Sequence, residues 1–158
     1  MKVRRASPNE AEILWKIRNL AIRRGCAEVY DAAIVTAWTP DAMPASFRSV
    51  ISANPFFVID GVEGSPVATG FLDLASNSVE AIFTLPHYAG KGLASLIINA
   101  IKVEARKRQI SHLTLSSTPN AVSFYEQHGF VAVQEGHYYS RLAQAHLKCT
   151  DMVINLSR

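Results

Sequence analysis

Cysteine is scarce in this chain: Cys26 and Cys149 are the only two, far apart and without Cys-x-x-Cys spacing. That argues against a disulfide framework, and the expectation is two reduced thiols. No His, Cys, Asp or Glu spacing resembles a metal site, so no metal is expected. No stretch approaches the ~20 apolar residues of a membrane span, and the N-terminus lacks the apolar segment of a signal peptide. The expectation is a cytoplasmic protein without a membrane partner. Charged residues are also few, 18% against 49% hydrophobic, which suits a packed core and excludes a disordered chain. Repeats, low-complexity tracts and long linkers are missing too. The 158 residues read as one domain, 1–158. The net charge of +3 is mild and suits an anionic cofactor as well as nucleic acid.

What is present centres on one stretch, 79–101. Residues 79–85 are β-branched or apolar apart from Glu80, and Pro86 stops the run. Gly90 and Gly92 flank Lys91. Leu93, Leu96, Ile97, Ala100 and Ile101 then recur with the spacing of one helix face. This is strand, glycine turn, helix. The first turn of a helix has unpaired N–H groups and partial positive charge, and glycines let an anion approach them. The reading is that this turn holds a phosphate-bearing ligand. It is not a dinucleotide fingerprint, which needs a glycine at Ser95 and an acid about 20 residues on. Nor is it a P-loop, because Leu93 stands where Ser or Thr is required.

Along the chain, a short strand is expected over 1–6 and a helix to about residue 24, opened by Ser7, Pro8 and Glu10 as cap, first position and capping-box acid. Short helices are expected over 32–38 and 45–52, and a hairpin of 55–60 with 67–74 across a turn at 61–66. After the central helix come a strand at 112–116, a helix carrying Ala121, Val122, Phe124 and Tyr125, and two last strands at 130–133 and 148–156. His137 and His146 either cross that last hairpin or approach an acceptor site. The pattern predicts a mixed α/β sheet with helices on both faces.

Two stretches resemble a known family. The segment FTLPHYAGKGLASLII is similar to the cofactor motif Q/R-x-x-G-x-G/A of the GNAT superfamily of N-acetyltransferases, with Ala89 where the family usually has Gln or Arg. NAVSFYEQHGF resembles its N-x-x-x-F-Y-E-x-x-G-F signature through Asn120, Phe124, Tyr125, Glu126, Gly129 and Phe130. The resemblance covers nearly the whole chain. It implies a central, mostly antiparallel sheet of about six to seven strands, splayed between strands 4 and 5. Acetyl-CoA would lie in that gap as cosubstrate. Its pantetheine arm would pair with main chain at Ile82, Phe83 and Thr84 and with Asn120. Its diphosphate would rest on the turn Ala89, Gly90, Lys91, Gly92, Leu93, Ala94 and Ser95.

On the same grounds Tyr125 is the donor to the departing sulfur, as well as a cofactor contact; otherwise it is a packed core aromatic. Glu80 is the candidate base acting through water, on a strand face expected to include Ile82 and Thr84, or else a surface carboxylate. Asp73 is the reserve. No serine-nucleophile signature appears, so direct transfer is the simpler expectation. Tyr30, Trp38 and Phe47 are candidates for an aromatic acceptor wall, or pack on the sheet. Glu28, Asp31 and Asp41 either draw a cationic amine or are solvated. The expected acceptor is a primary amine of a small molecule or peptide, with a homodimer kept beside the monomer. Two readings compete: an acyl-CoA sensor without turnover, and a nucleic-acid binder using Lys102, Arg106, Lys107 and Arg108. The leading expectation has no nucleic-acid partner.

Overall fold

The structure, a computed structural model, describes residues 1–157. Its frame is a seven-stranded sheet: β1 (Val3–Arg5), β2 (Phe56–Asp60), β3 (Pro66–Asp73), β4 (Ser78–Thr84), β5 (His112–Ser117), β6 (Val131–Ser140) and β7 (Ala145–Asn155). The order across the sheet is β1-β2-β3-β4-β5-β7-β6. Every neighbouring pair is antiparallel except β4 with β5. The helices are α1 (Ala11–Gly25), α2 (Ala32–Trp38), α3 (Ser46–Ala53), α4 (Leu93–Lys107) and α5 (Val122–Gln127). This is the mixed α/β sheet covered on both faces that the alternating patterns predict.

The continuous apolar run of β2 matches its burial on both faces of the sheet. Strand alternation sends Phe56 and Val58 to one face, against Leu14 and Ile17 of α1 and Ile51 of α3. Phe57 and Ile59 face the other way, against Ile97, Ile98 and Ile101 of α4. A strand buried on both faces has no need of polar alternation. Each such Ile, Leu or Phe contributes about 1.5–3 kcal/mol by leaving water. Ahead of α1, Pro8–Glu10 forms a 3-10 turn. Glu10 accepts a bond from the Ser7 N–H at 3.0 Å, as the capping box requires. Its other partner is Arg4 at 2.7 Å, and Arg4 also reaches Asp60 at 2.9 Å, tying β1 to β2.

Three sequence expectations are corrected. The buried stripe of α4 is Leu93, Ile97, Ile98, Ile101 and Ala105, while Leu96 lies on its rim and is 41% exposed. The sixth strand is much longer than the expected 130–133, and the seventh begins at Ala145, ahead of the expected 148. Residues such as Gln134, Glu135, His137 and Tyr138 are exposed, so no apolar alternation marked them. The ladder to β7, from Val131↔Val153 to Ser140↔Ala145, holds them extended instead. His137 and His146 therefore lie across this hairpin from Lys148 and Tyr139.

The third correction is in β4. Its register to β3 slips between Phe71↔Glu80 and Thr69↔Phe83, so Ala81 and Ile82 together face Gly70, and Ala81 takes φ +55°. This is a β-bulge, and it breaks alternation. Val79 and Ile82, three residues apart, both pack on the α4 side, while Ala81 and Phe83 pack on the α1 side. Glu80, Ile82 and Thr84 therefore do not form the single face expected from a regular strand. Gly70 permits the bulge: a Cβ there would lie 2.5 Å from Ile82 Cδ1 and 2.7 Å from Ile97 Cγ2.

Candidate active site

The parallel pair β4 and β5 meets at one register position, Ser78↔Thr114, and pairs nowhere beyond it. The main-chain groups of β4 past that point face a gap rather than a neighbouring strand. A cavity of about 380 Å³ opens there. Its walls are Glu80, Ala81, Ile82, Phe83 and Thr84 of β4, Ser116 and Ser117 of β5, and Asn120 and Tyr125 beyond. Arg18 and Ile22 of α1, Tyr30, Trp38, and Tyr138, Leu147 and Cys149 of the last hairpin close the far side.

Just past β4, Pro86–Tyr88 makes one 3-10 turn and the chain enters α4. Gly90 and Gly92 stand at φ +77° and +80°, a region where a side chain strains the backbone. A Cβ at either would meet nothing within 4 Å, so the glycines serve the turn's shape and leave open space beside it. Gly92 is the N-cap of α4, and no side chain caps that end. The 15-residue helix thus presents free N–H groups outward. Ala89, Gly90, Lys91 and Gly92 are exposed, and Ala94 and Ser95 half-buried; only Leu93 turns into the core. Ser95 Oγ lies 2.9 Å from His128 Nε2, which fixes its side chain beside the helix start. Lys91 Nζ sits 5.6 Å from the Tyr88 ring centroid, near the turn.

The two candidate proton carriers share the cavity. Tyr125 is held edge-on by Phe124 and Phe130, with centroids 5.1 and 5.9 Å away. Burial, with a smaller push from the Glu80 charge, raises its phenol well above the ordinary value, so it stays protonated. Glu80 is half-buried, and Ser78 Oγ donates to its Oε2 at 2.7 Å. Burial raises its carboxyl pKa, the Ser78 bond opposes that, and Asp73 adds to the rise. A carboxylate displaced upward is a better proton acceptor at neutral pH. Asp73 lies outside the cavity lining and accepts from the Ala75 N–H at 2.9 Å in the turn.

Of the three aromatics, two line the cavity. Tyr30 and Trp38 meet edge to face at 5.9 Å, and the Tyr30 hydroxyl donates to the Lys148 carbonyl at 2.6 Å. Phe47 does not reach it; it packs 5.2 Å from Trp15 and 6.2 Å from Phe56 in the core under α1. Glu28, Asp31 and Asp41 are exposed and outside the lining, and Asp41 pairs with Arg23 at 2.9 Å.

Sequence reasoning missed Arg18, Tyr138 and the two thiols. Arg18 had a signal, because it falls on the apolar face of α1 one turn from Leu14 and Ile22. Tyr138 had none, since its strand was unmarked. Cys26 and Cys149, far apart in sequence, converge on this cavity, and burial pushes both thiols up.

The sheet is parted between two parallel strands, and an uncapped, glycine-led helix start stands beside the parting. The chain belongs to the GNAT acetyltransferases: the Acetyltransferase (GNAT) domain matches residues 26–156. An uncharacterized acetyltransferase of Streptococcus pyogenes serotype M1 is 33% identical over 92 residues, 52% of this chain and 64% of that protein. This chain thus spans less than two thirds of that relative's length. Among solved structures, a GCN5-related N-acetyltransferase from Rhodopseudomonas palustris superposes with TM-score 0.88 at 23% identity, covering 97% of this chain and 94% of that one. PaiA N-acetyltransferase from Thermoplasma acidophilum, in complex with coenzyme A, gives TM-score 0.74 at 15% identity over 98% of each chain. A protein from Salmonella typhimurium with its cofactor acetyl-CoA gives 0.71 at 20% identity, over 100% of this chain and 95% of that one. These likenesses establish the fold.

Proposed function

We propose that this protein transfers an acetyl group from acetyl-CoA directly to a primary amine of a small molecule or peptide. The observation that carries it is the open, uncapped start of α4 beside an unpaired strand edge, with Tyr125 and Glu80 in one cavity. That arrangement fits the cosubstrate: the amides from Gly90 to Ser95 would hold the diphosphate, and the free edge of β4 at Ile82, Phe83 and Thr84 would pair with the pantetheine amides. Asn120, at the cavity wall, would bond the same arm. Acetyl-CoA supplies the activated thioester. Glu80 takes a proton from the incoming ammonium through water, freeing its lone pair for attack. A bulge N–H near Ala81 donates to the developing oxyanion. Tyr125 gives its proton to the sulfur as it departs, and the second proton lost by the acetylated nitrogen restores the phenol. Solved relatives carrying coenzyme A or acetyl-CoA support the cosubstrate.

Calorimetry with acetyl-CoA tests the cradle. The wild type should bind, and Gly92→Asp should weaken binding more than tenfold, since a side chain strains φ and its charge repels phosphate. Thiol release with a panel of primary amines tests the transfer. Equal affinity in the two proteins would sink the cradle; binding with no release on any amine would leave a sensor.

A further inference from the structure

The cavity contains a cation that no carboxylate among the described residues pairs with. Arg18 lies along its wall, its guanidinium 4.3 Å from the Trp15 ring centroid and 5.9 Å from that of Trp38. Nη1 donates to the Asn19 side-chain oxygen at 2.7 Å and to the Trp38 carbonyl at 2.9 Å. Nε and Nη2 make no hydrogen bond among the described residues. Arg4, Arg23, Arg48 and Arg108 each pair with a carboxylate, and each has a side chain about 40% exposed. Arg18, half-buried, pairs with none among the described residues. Burial alone is enough to push its pKa down to about 10. A desolvated charge without a partner is costly, so holding one at a cavity wall calls for a ligand.

The rest of the lining narrows that ligand. Glu80 is the cavity's one carboxylate among the described residues. The acids expected to draw the acceptor, Glu28, Asp31 and Asp41, do not reach it. The cavity therefore offers one acid and one cation. The free edge of a guanidinium, Nε with Nη2, matches the two oxygens of a carboxylate. Two indole rings hold the fork in place, and Tyr138, on the same wall, is close enough to Arg18 to favour its charged form.

Resting on the acetyl-transfer reading, we propose that the acceptor is an amine that also carries a carboxylate, an amino-acid-like zwitterion whose amine faces Glu80 and whose acid is clamped by Arg18. A purely structural arginine, tying α1 to the end of α2, would use Nη1 alone and be indifferent to the acceptor's acid.

The test is thiol release with the proteinogenic α-amino acids, each beside its carboxamide. For the best acceptor, the acid should exceed its amide in kcat/KM by about tenfold or more, the worth of a charge-assisted pair. In Arg18→Gln that preference should collapse toward unity through KM rather than kcat. Arg18→Lys, which keeps the charge but loses the fork, should fall between. Equal kcat/KM for acid and amide in the wild type would overturn the inference while leaving acetyl transfer standing. So would an Arg18→Gln variant slowed equally on both. Inhibition of the wild type by the N-acetyl acid against the N-acetyl amide needs no variant, and the acid should bind about tenfold tighter. If no amine is turned over, acetyl transfer fails, and calorimetric binding of the same two products to the coenzyme A complex decides carboxylate recognition alone: about tenfold tighter binding of the acid supports it, and equal binding overturns it.

Discussion

At the scale of single residues, Glu80 in its proposed role as base would set activity against stability. Its carboxyl pKa is raised, chiefly by burial. As a base it must be ionised, so kcat/KM should rise with pH through a limb lying above the ordinary carboxylate value of ~4.3. Glu80→Gln should remove that limb. The stability sign is opposite. A carboxyl raised on folding favours the folded state fully below its unfolded pKa, and loses that contribution as pH rises through the folded pKa. Glutamine is neutral throughout, so the variant should melt higher than the wild type at neutral pH and show no gain in acid. A melting series across pH checks both halves. The Tyr125 pKa is raised too, chiefly by burial, so its phenol keeps the proton that the proposed transfer needs, and Tyr125→Phe should lower kcat about 10²-fold in a chemistry-limited assay. The modest size follows from the low pKa of the leaving thiol, ~8.5. Arg18 shows what a residue-by-residue reading can overlook. A cation on an apolar helix face was visible in the sequence, but only the position of Trp38 and the cavity gave it a purpose.

At the scale of elements, the boundaries visible in the sequence were those carried by strong local chemistry. Gly90 and Gly92 announced the turn, and α2 lay over 32–38 as its apolar residues indicate. The hairpin of β6 and β7 was hidden because its outer half is exposed and its pairing is set by tertiary register. The bulge at Ala81 was hidden differently. Gly70 inside a strand was a cue for one, yet its meaning depends on Ile82 and Ile97 arriving from other elements. Gly70→Ala should cost about 1–3 kcal/mol by overpacking. In a chain of this size that is roughly 2–4 °C of melting temperature per kcal/mol. Ile82→Val removes the Cδ1 atom in the way, so the double variant should recover part of the loss. A double variant no more stable than Gly70→Ala alone would show that Ile82 is not the obstacle.

At the scale of the molecule, the family and the succession of elements along the chain were visible in the sequence because two motifs and the alternation of apolar runs cover most of the chain. The cavity's contents were not, since they come from α1, β4 and the last hairpin at once. The pairing of β4 with β5 at Ser78↔Thr114 makes the sheet two ladders joined at one place. Coenzyme A should slow amide hydrogen exchange at Ile82, Phe83 and Thr84 more than within β2, and ligand at about 100 times its Kd should add ~2.7 kcal/mol to global stability. Exchange unchanged at those three residues would place the ligand elsewhere.

That lone rung is also the sheet's weakest seam. On warming, the two ladders should drift apart there before either comes undone. The proposed turnover would then fade reversibly some degrees below the melting point, its ceiling set by alignment across the parting rather than by the survival of the core.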